Sequence, residues 1–267
     1  MFRYGNPSVR RWVNRSQAGN LATEISPATY RGVIGKTALL LGLTIVSAVV
    51  TMLATWYGIF QFAETLEISS RAVIGFIVGI IVAVVLMLIC SIGISISPRK
   101  AKFFAPIYAI IQGAFLGFIA AFINILVPFV TLAAILGTAI VFIVCLVLYR
   151  VIGVRIQNNF LRVLAISLMS FVLVQLIIIP IMLFVPSEGM FTALIWIQAI
   201  VCFLCIIFAA VTIVYDLQSI DYVVKSGTDR AYEWPVAFSL VTSLVYLYLQ
   251  ILQLLLRIFA LFSTKKR

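Results

Sequence analysis

Carboxylates are rare in this chain of 267 residues, with only 8 Asp and Glu in total, and one of them directly follows an apolar run. Asp216 comes after Ile213-Val214-Tyr215, at the predicted end of a helix. Apolar surroundings disfavour the ionised form of a carboxyl group, so a desolvated Asp216 would respond to protons in a chain without histidine. The alternative is an ordinary solvated residue at a helix end, although an aspartate there opposes the helix dipole.

Three more acidic residues, Asp221, Asp229 and Glu233, lie in the polar stretch that follows Asp216. We expect this stretch, residues 216–235, to form the longest connection between two helices. Carboxylates in such a connection are ordinarily solvated. They could instead form a mouth that attracts cations, and Asp221 is the one nearest to Asp216 in the chain.

The last apolar run carries polar side chains at helical spacing. Thr242, Tyr246 and Gln250 stand at positions i, i+4 and i+8, which places them on one face of a helix. Tyr248 lies on another face, because residues two apart differ by about 200° around the axis. Such a helix needs neighbours on all sides, so we expect it at the centre of a bundle. Asp216 could face the polar stripe if the two helices are adjacent.

Catalytic and metal chemistry has few residues to use. The chain has no histidine, which excludes imidazole metal sites and Ser-His-Asp triads. We therefore predict no catalytic residue, no metal site and no cofactor, and hence no enzyme. Cys202 and Cys205 have the spacing of a redox pair, but no basic residue is near them in sequence to stabilise a thiolate. We expect them to pack as apolar side chains, as do Cys90 and Cys145.

The composition requires a lipid environment. Hydrophobic residues make up 64% of the chain and charged residues 10%, and the mean hydropathy is +1.22. A water-facing surface with so few charges would expose large apolar patches. A helix needs about 20 apolar residues to cross a bilayer, and seven such runs occur: 37–62, 72–97, 103–125, 128–149, 161–185, 191–215 and 236–258. Because lipid cannot satisfy backbone polar groups, the sequence predicts an all-α integral membrane protein with seven transmembrane helices.

We predict three segments along the chain. Residues 1–36 form a basic, partly disordered cytoplasmic tail, residues 37–262 form one membrane domain, and residues 263–267 form a basic tail. Within the domain, Gly75-x-x-x-Gly79 and Gly113-x-x-x-Gly117 let helices approach closely and indicate packing faces. Pro180 should kink the fifth helix.

The net charge of +11 is explained by membrane topology. Most Lys and Arg residues lie in the amino tail and in the loops on the same side of the bilayer, which predicts a cytoplasmic amino terminus. The basic tail Lys265-Lys266-Arg267 then falls outside, whereas a re-entrant segment would put both tails in the cytoplasm. Attraction to anionic lipid accounts for the charge, so the expected partner is the lipid bilayer and not nucleic acid.

The carboxyl-terminal third has a recognisable order of motifs: Asp216-Leu217-Gln218-Ser219-Ile220, Lys225-Ser226-Gly227, Ala231-Tyr232-Glu233-Trp234 and the run 237–249. Stretches upstream agree with it, namely Gly32-Val33-Ile34-Gly35-Lys36-Thr37, residues 108–117 and residues 136–150. From about residue 29 the chain resembles the Bax inhibitor-1 and YccA-like family, also called the transmembrane Bax-inhibitor-motif family, and in particular its bacterial branch.

The resemblance implies a seven-helix bundle with the last helix at its centre and a calcium-permeable leak that responds to pH. In family members described that way, a pair of aspartates bridges the ends of helices six and seven. By the motif, Asp216 occupies the first aspartate position and the second falls on Thr242, so the acidic pair is broken in this chain. Thr242 can form a hydrogen bond but cannot share a proton between two carboxylates.

We therefore expect a passive, pH-sensitive leak for calcium or other cations in a bacterial inner membrane, gated by Asp216. Asp221, Thr242, Tyr246 and Gln250 are the other residues expected along its ion pathway. Calcium binding should be weak, because ligand oxygens are scarce. The alternative is a regulatory membrane interaction protein, since the YccA-like branch includes partners of a membrane protease and modulators of stress survival. The basic amino tail favours this alternative.

Overall fold

The computed structural model describes residues 26–65, 70–153 and 188–264, together with Asn14. These residues form six α-helices and no strand. A short 3₁₀ turn at Pro98–Lys100 precedes the third helix, a π turn at Leu148–Ile152 extends the fourth, and a second 3₁₀ turn at Arg230–Tyr232 precedes the last. The helices are α1 Tyr30–Thr65, α2 Ser70–Ile96, α3 Ala101–Leu126, α4 Val130–Val147, α5 Glu188–Lys225 and α6 Glu233–Thr264.

Five stretches within these helices are long and apolar enough to cross a bilayer: Tyr30–Gly58, Pro98–Leu126, Val130–Val151, Leu194–Lys225 and Arg230–Phe262. α2 adds a shorter apolar segment, Ile81–Ile96. Large apolar side chains such as Leu53, Ile140 and Ile200 are at least 60% exposed, which only a lipid environment tolerates over so many positions. The prediction of an all-α multi-pass membrane protein is confirmed.

Six of the seven predicted spans correspond to α1–α6. The fifth predicted span, 161–185, lies outside the described residues together with the expected kink at Pro180. Residues 1–25, apart from Asn14, and residues 265–267 also lie outside them. α1 begins at Tyr30, so the predicted boundary at residue 37 is too late by about two turns. The position of the last helix within the bundle stays a prediction.

The prediction of a loop over residues 216–235 is wrong, because α5 continues to Lys225 and α6 begins at Glu233. No helix-breaking residue follows Asp216 until Gly227, whose φ of 63° is readily available only to glycine. Asp216 is therefore an interior residue of α5. Arg257 is likewise an interior residue of α6, which ends at Thr264.

The contacts divide the chain into two compact units. The first unit comprises 129–219 and 242–267 with residues 1–7, and so contains α4, most of α5 and most of α6. The second unit comprises 8–128 and 220–241, and so contains α1, α2, α3 and the connection between α5 and α6. Each unit has its own polar cluster.

In the second unit, α1 and α3 approach at backbone contact distance. A methyl group added at Gly113 would overlap the Thr44 carbonyl of α1, and one added at Gly117 would overlap the backbone of Ala48. Gly113-x-x-x-Gly117 is thus confirmed as a packing face. Gly79 of the other predicted pair has nothing within 4 Å of its hypothetical Cβ, so the described residues give it no packing partner.

In the first unit, α4 contacts both of the other helices. The hypothetical Cβ of Gly137 would lie 3.3 Å from Ile251 of α6, and the Cys145 thiol donates to the Ala210 carbonyl of α5 at 3.6 Å. Small residues on α4 therefore allow α5 and α6 to pack closely against it.

Candidate functional site

Asp216 lies in the buried interface between α5 and α6. Its side chain is 4% exposed, and its Oδ2 accepts a hydrogen bond of 2.5 Å from the Ser243 hydroxyl of α6. Ser243 is itself 9% exposed. Hydroxyl donation to a carboxylate gives a short, charge-assisted hydrogen bond. The carboxylate is thus held out of water by a bond between the two helices.

Ser243 is the residue after Thr242, which was expected to stand opposite Asp216. Thr242 is half-buried and has contacts of its own. The structure adds Ser243, next to Thr242 on α6, as a hydroxyl partner of Asp216.

Several polar atoms of the first unit are buried and have no hydrogen-bond partner within the described ranges. On α5, the Tyr215 hydroxyl and the Ser219 hydroxyl flank Asp216 in the sequence. The Gln250 Oε1 of α6 and the Thr131 hydroxyl of α4 are also buried without a partner among the described residues. Buried polar groups usually require a partner, so these atoms are suited to bind water or a hydrated ion.

The predicted stripe on α6 is formed in part. The Tyr246 hydroxyl interacts with the Gln250 side chain one turn farther along α6 and with Cys205 of α5. Gln250 is 5% exposed. Tyr246 therefore lies on the side of α6 that meets α5, and Gln250 lies one turn farther along the same face of α6.

Farther along the same interface, Arg257 of α6 reaches across to α5. Its Nη1 donates to the Gln198 carbonyl at 2.7 Å and to the Cys202 Sγ at 2.9 Å. The Cys202 thiol also donates to the Gln253 Oε1 at 3.8 Å. No basic residue lies near the Cys202 pair in sequence, but Arg257 of the next helix contacts Cys202 in the structure. All four cysteines are buried and free.

Asp221 belongs to the second unit and has a different environment. Its carboxylate accepts a hydrogen bond of 3.0 Å from Lys225, one turn farther along α5, and its side chain is 27% exposed. Such an i,i+4 pair on an accessible surface contributes little to stability. Asp221 thus belongs to the second unit, whereas Asp216 belongs to the first.

Glu233 is the polar residue that sequence reasoning missed. It was expected to be solvated, yet its side chain is fully buried and pairs with Lys36 at 2.6 Å. Lys36 also donates to the Arg230 carbonyl at 3.2 Å and lies 5.2 Å from the centre of the Trp234 ring. The segment before α1 adds to this contact, since the Ala28 amide donates to the Thr228 carbonyl at 2.7 Å.

The Glu233 carboxylate also caps α1. Thr29 precedes α1, and its Oγ1 accepts from the Gly32 amide at 3.1 Å, while its own amide donates to Glu233 at 2.8 Å. In a capping box the third helical residue supplies that carboxylate, but here this residue is Gly32. A methyl group on Gly32 would overlap the Glu233 carboxylate, so the glycine makes room for an acid from another helix.

No group of three or more Cys, Asp or Glu side chains within the described ranges is arranged to hold a metal ion. Among its described side chains, the first unit instead offers one buried carboxylate, Asp216, with unpaired hydroxyls on either side of it in the sequence. Such an arrangement can attract a cation and bind it weakly, because calcium prefers six to eight oxygen ligands.

The comparison with known families gives one result. The Bax inhibitor 1 like family model matches residues 6–260. No curated protein and no solved structure matches the chain. A match over almost the whole length, on a chain with five described stretches long and apolar enough to cross a bilayer, shows that the chain belongs to the Bax inhibitor 1 like family.

Proposed function

We propose that this protein is a passive, pH-sensitive leak for calcium and other cations in a bacterial inner membrane, and not an enzyme. The observation that carries the proposal is the buried Asp216 carboxylate bonded to Ser243 across the α5–α6 interface. A buried ionisable residue in a membrane-spanning helix is costly, and it is found mainly where ions or protons move.

Asp216 has two separate effects in this proposal. Its negative charge lowers the energy of a cation in the interface, and its bond to Ser243 holds α5 against α6. Protonation removes the charge and weakens the bond, which makes the leak responsive to pH. Within the described part of the first unit, Asp216 is the only buried carboxylate, so one proton changes the charge of the site from −1 to 0.

The first experiment replaces Asp216 by Asn in the full chain, reconstituted into liposomes that contain a calcium dye. The amide oxygen still accepts a hydrogen bond from Ser243, but the charge is lost. We expect the initial rate of calcium entry to fall about tenfold at pH 7.5, equivalent to about 1.4 kcal/mol. We also expect the rate to become independent of pH between pH 6 and 8. Asp221→Asn is the matched control and should stay within twofold of the parent.

Ser243→Ala tests the effect of the bond between the helices, because it removes the Ser243 hydroxyl and keeps the charge of Asp216. We expect calcium entry to rise about threefold or more, since the two helices lose a charge-assisted bond. Opposite changes in these two variants would support both effects. A leak in Asp216→Asn equal to that of the parent at every pH would remove Asp216 from the mechanism.

A further inference from the structure

The part of the α5–α6 interface that lies in the first unit, residues 188–219 and 242–264, carries opposite charges near its two ends. At one end Asp216 bonds to Ser243, and at the other Arg257 bonds to the carbonyl of Gln198 and the thiol of Cys202. The helices are antiparallel, and the two ends are separated by about four helical turns, or about 21 Å. The polar side chains Tyr246 and Gln250 lie on α6 between them.

The positive end is not neutralised by any ion pair among the described residues. The three ion pairs that they form involve Lys36, Lys225 and Arg230, and none involves Arg257. The Arg257 guanidinium therefore places a positive charge in this part of the interface. Its two acceptors, a carbonyl and a thiol, fix its position without cancelling that charge.

We propose that Arg257 is the electrostatic barrier that limits and selects cations on the α5–α6 pathway. This inference rests on the proposed function. A cation that is attracted by Asp216 meets a fixed positive charge at the opposite end of the same interface, in surroundings where charges are weakly screened. Asp216 thus promotes cation entry into the pathway, and Arg257 slows passage along it.

An electrostatic barrier has a signature that a structural role lacks. The energy of an ion near a fixed charge is proportional to the charge of the ion, so a divalent cation meets twice the barrier of a monovalent one. The increase in flux after removal of the charge should therefore be larger for calcium than for rubidium, and chloride flux should not increase. Loosened helix packing would raise the flux of all three ions alike.

The experiment compares Arg257→Gln and Arg257→Met with Arg257→Lys in liposomes that contain the full chain. For both neutral variants we expect calcium flux to rise about tenfold and rubidium flux about threefold, the square root of the first factor. Chloride flux should stay at or below the parental level. Arg257→Lys keeps the charge and should stay within twofold of the parent for all three ions.

Each contrary result has a distinct meaning. Equal increases for calcium, rubidium and chloride, or an Arg257→Lys variant as leaky as Arg257→Gln, would overturn the barrier. Unchanged flux in both neutral variants, with the Asp216→Asn effect present, would overturn this inference and leave the proposed function standing. A parental leak no larger than that of protein-free liposomes would overturn both. If neither neutral variant folds while Arg257→Lys does, Arg257 is a structural residue and the inference fails.

Discussion

Replacing Lys36 by Met should reduce the free energy of unfolding by about 3–5 kcal/mol, the usual cost of leaving one partner of a buried ion pair alone. The Glu233 carboxylate is fully buried and loses its nearest cation in this variant. Arg230 cannot replace Lys36, because its Nε is 4.0 Å from the carboxylate and its side chain is 66% exposed. Among the described residues, only the amide and hydroxyl of Thr29 would remain as donors to this carboxylate.

The reciprocal variant, Glu233→Gln, should lose less free energy of unfolding than Lys36→Met. Lys36 is 16% exposed and can turn toward water, while the glutamine oxygen can still accept from the Thr29 amide. We expect a loss of about 1–2 kcal/mol. The double variant Lys36→Met/Glu233→Gln should be more stable than Lys36→Met alone, because it removes the unpaired charge. Strictly additive losses in the double variant would show that the two side chains do not interact.

The matched control is the Asp221–Lys225 pair, which has the same chemistry but is accessible to solvent. Lys225→Met should change stability by less than about 1 kcal/mol. Unfolding can be followed in mixed micelles of increasing sodium dodecyl sulfate with a thiol-reactive fluorophore, because all four cysteines are buried in the folded protein. If Lys36→Met and Lys225→Met unfold at the same fraction of sodium dodecyl sulfate, the buried pair does not stabilise the fold.

The membrane helices could be predicted from the sequence because apolar runs of about 20 residues have one stable conformation in lipid. Their ends were less predictable. Asp216 marks where the run stops being apolar, but the helix continues to Lys225 because the residues after Asp216 are compatible with helix. Hydropathy reports the boundary between lipid and water, whereas a helix ends at a backbone feature such as the positive φ of Gly227.

The partners of the charged residues could not be predicted, because they depend on contacts distant in sequence. Lys36 and Glu233 are separated by 197 positions, and Cys202 and Arg257 by 55. A glutamate before Trp234 in a polar stretch has the same local pattern whether it is solvated or caps another helix. Gly32 was a signal for this contact in the sequence. A capping box requires an acidic residue at this position, and a glycine there leaves room for an acidic side chain from another helix.

The contact between α1 and α3 predicts that glycine-to-alanine substitutions at two positions change stability in different ways. Gly117→Ala places a Cβ against the backbone of Ala48, which cannot rotate away as a side chain would. We expect the free energy of unfolding to fall by about 1–3 kcal/mol or more, as in other overpacked protein interiors, and the melting temperature in detergent to fall with it. Gly79→Ala has free space around its Cβ within the described structure and should be neutral or stabilising. Equal melting temperatures for the two variants would mean that α1 and α3 are not in backbone contact at Gly117.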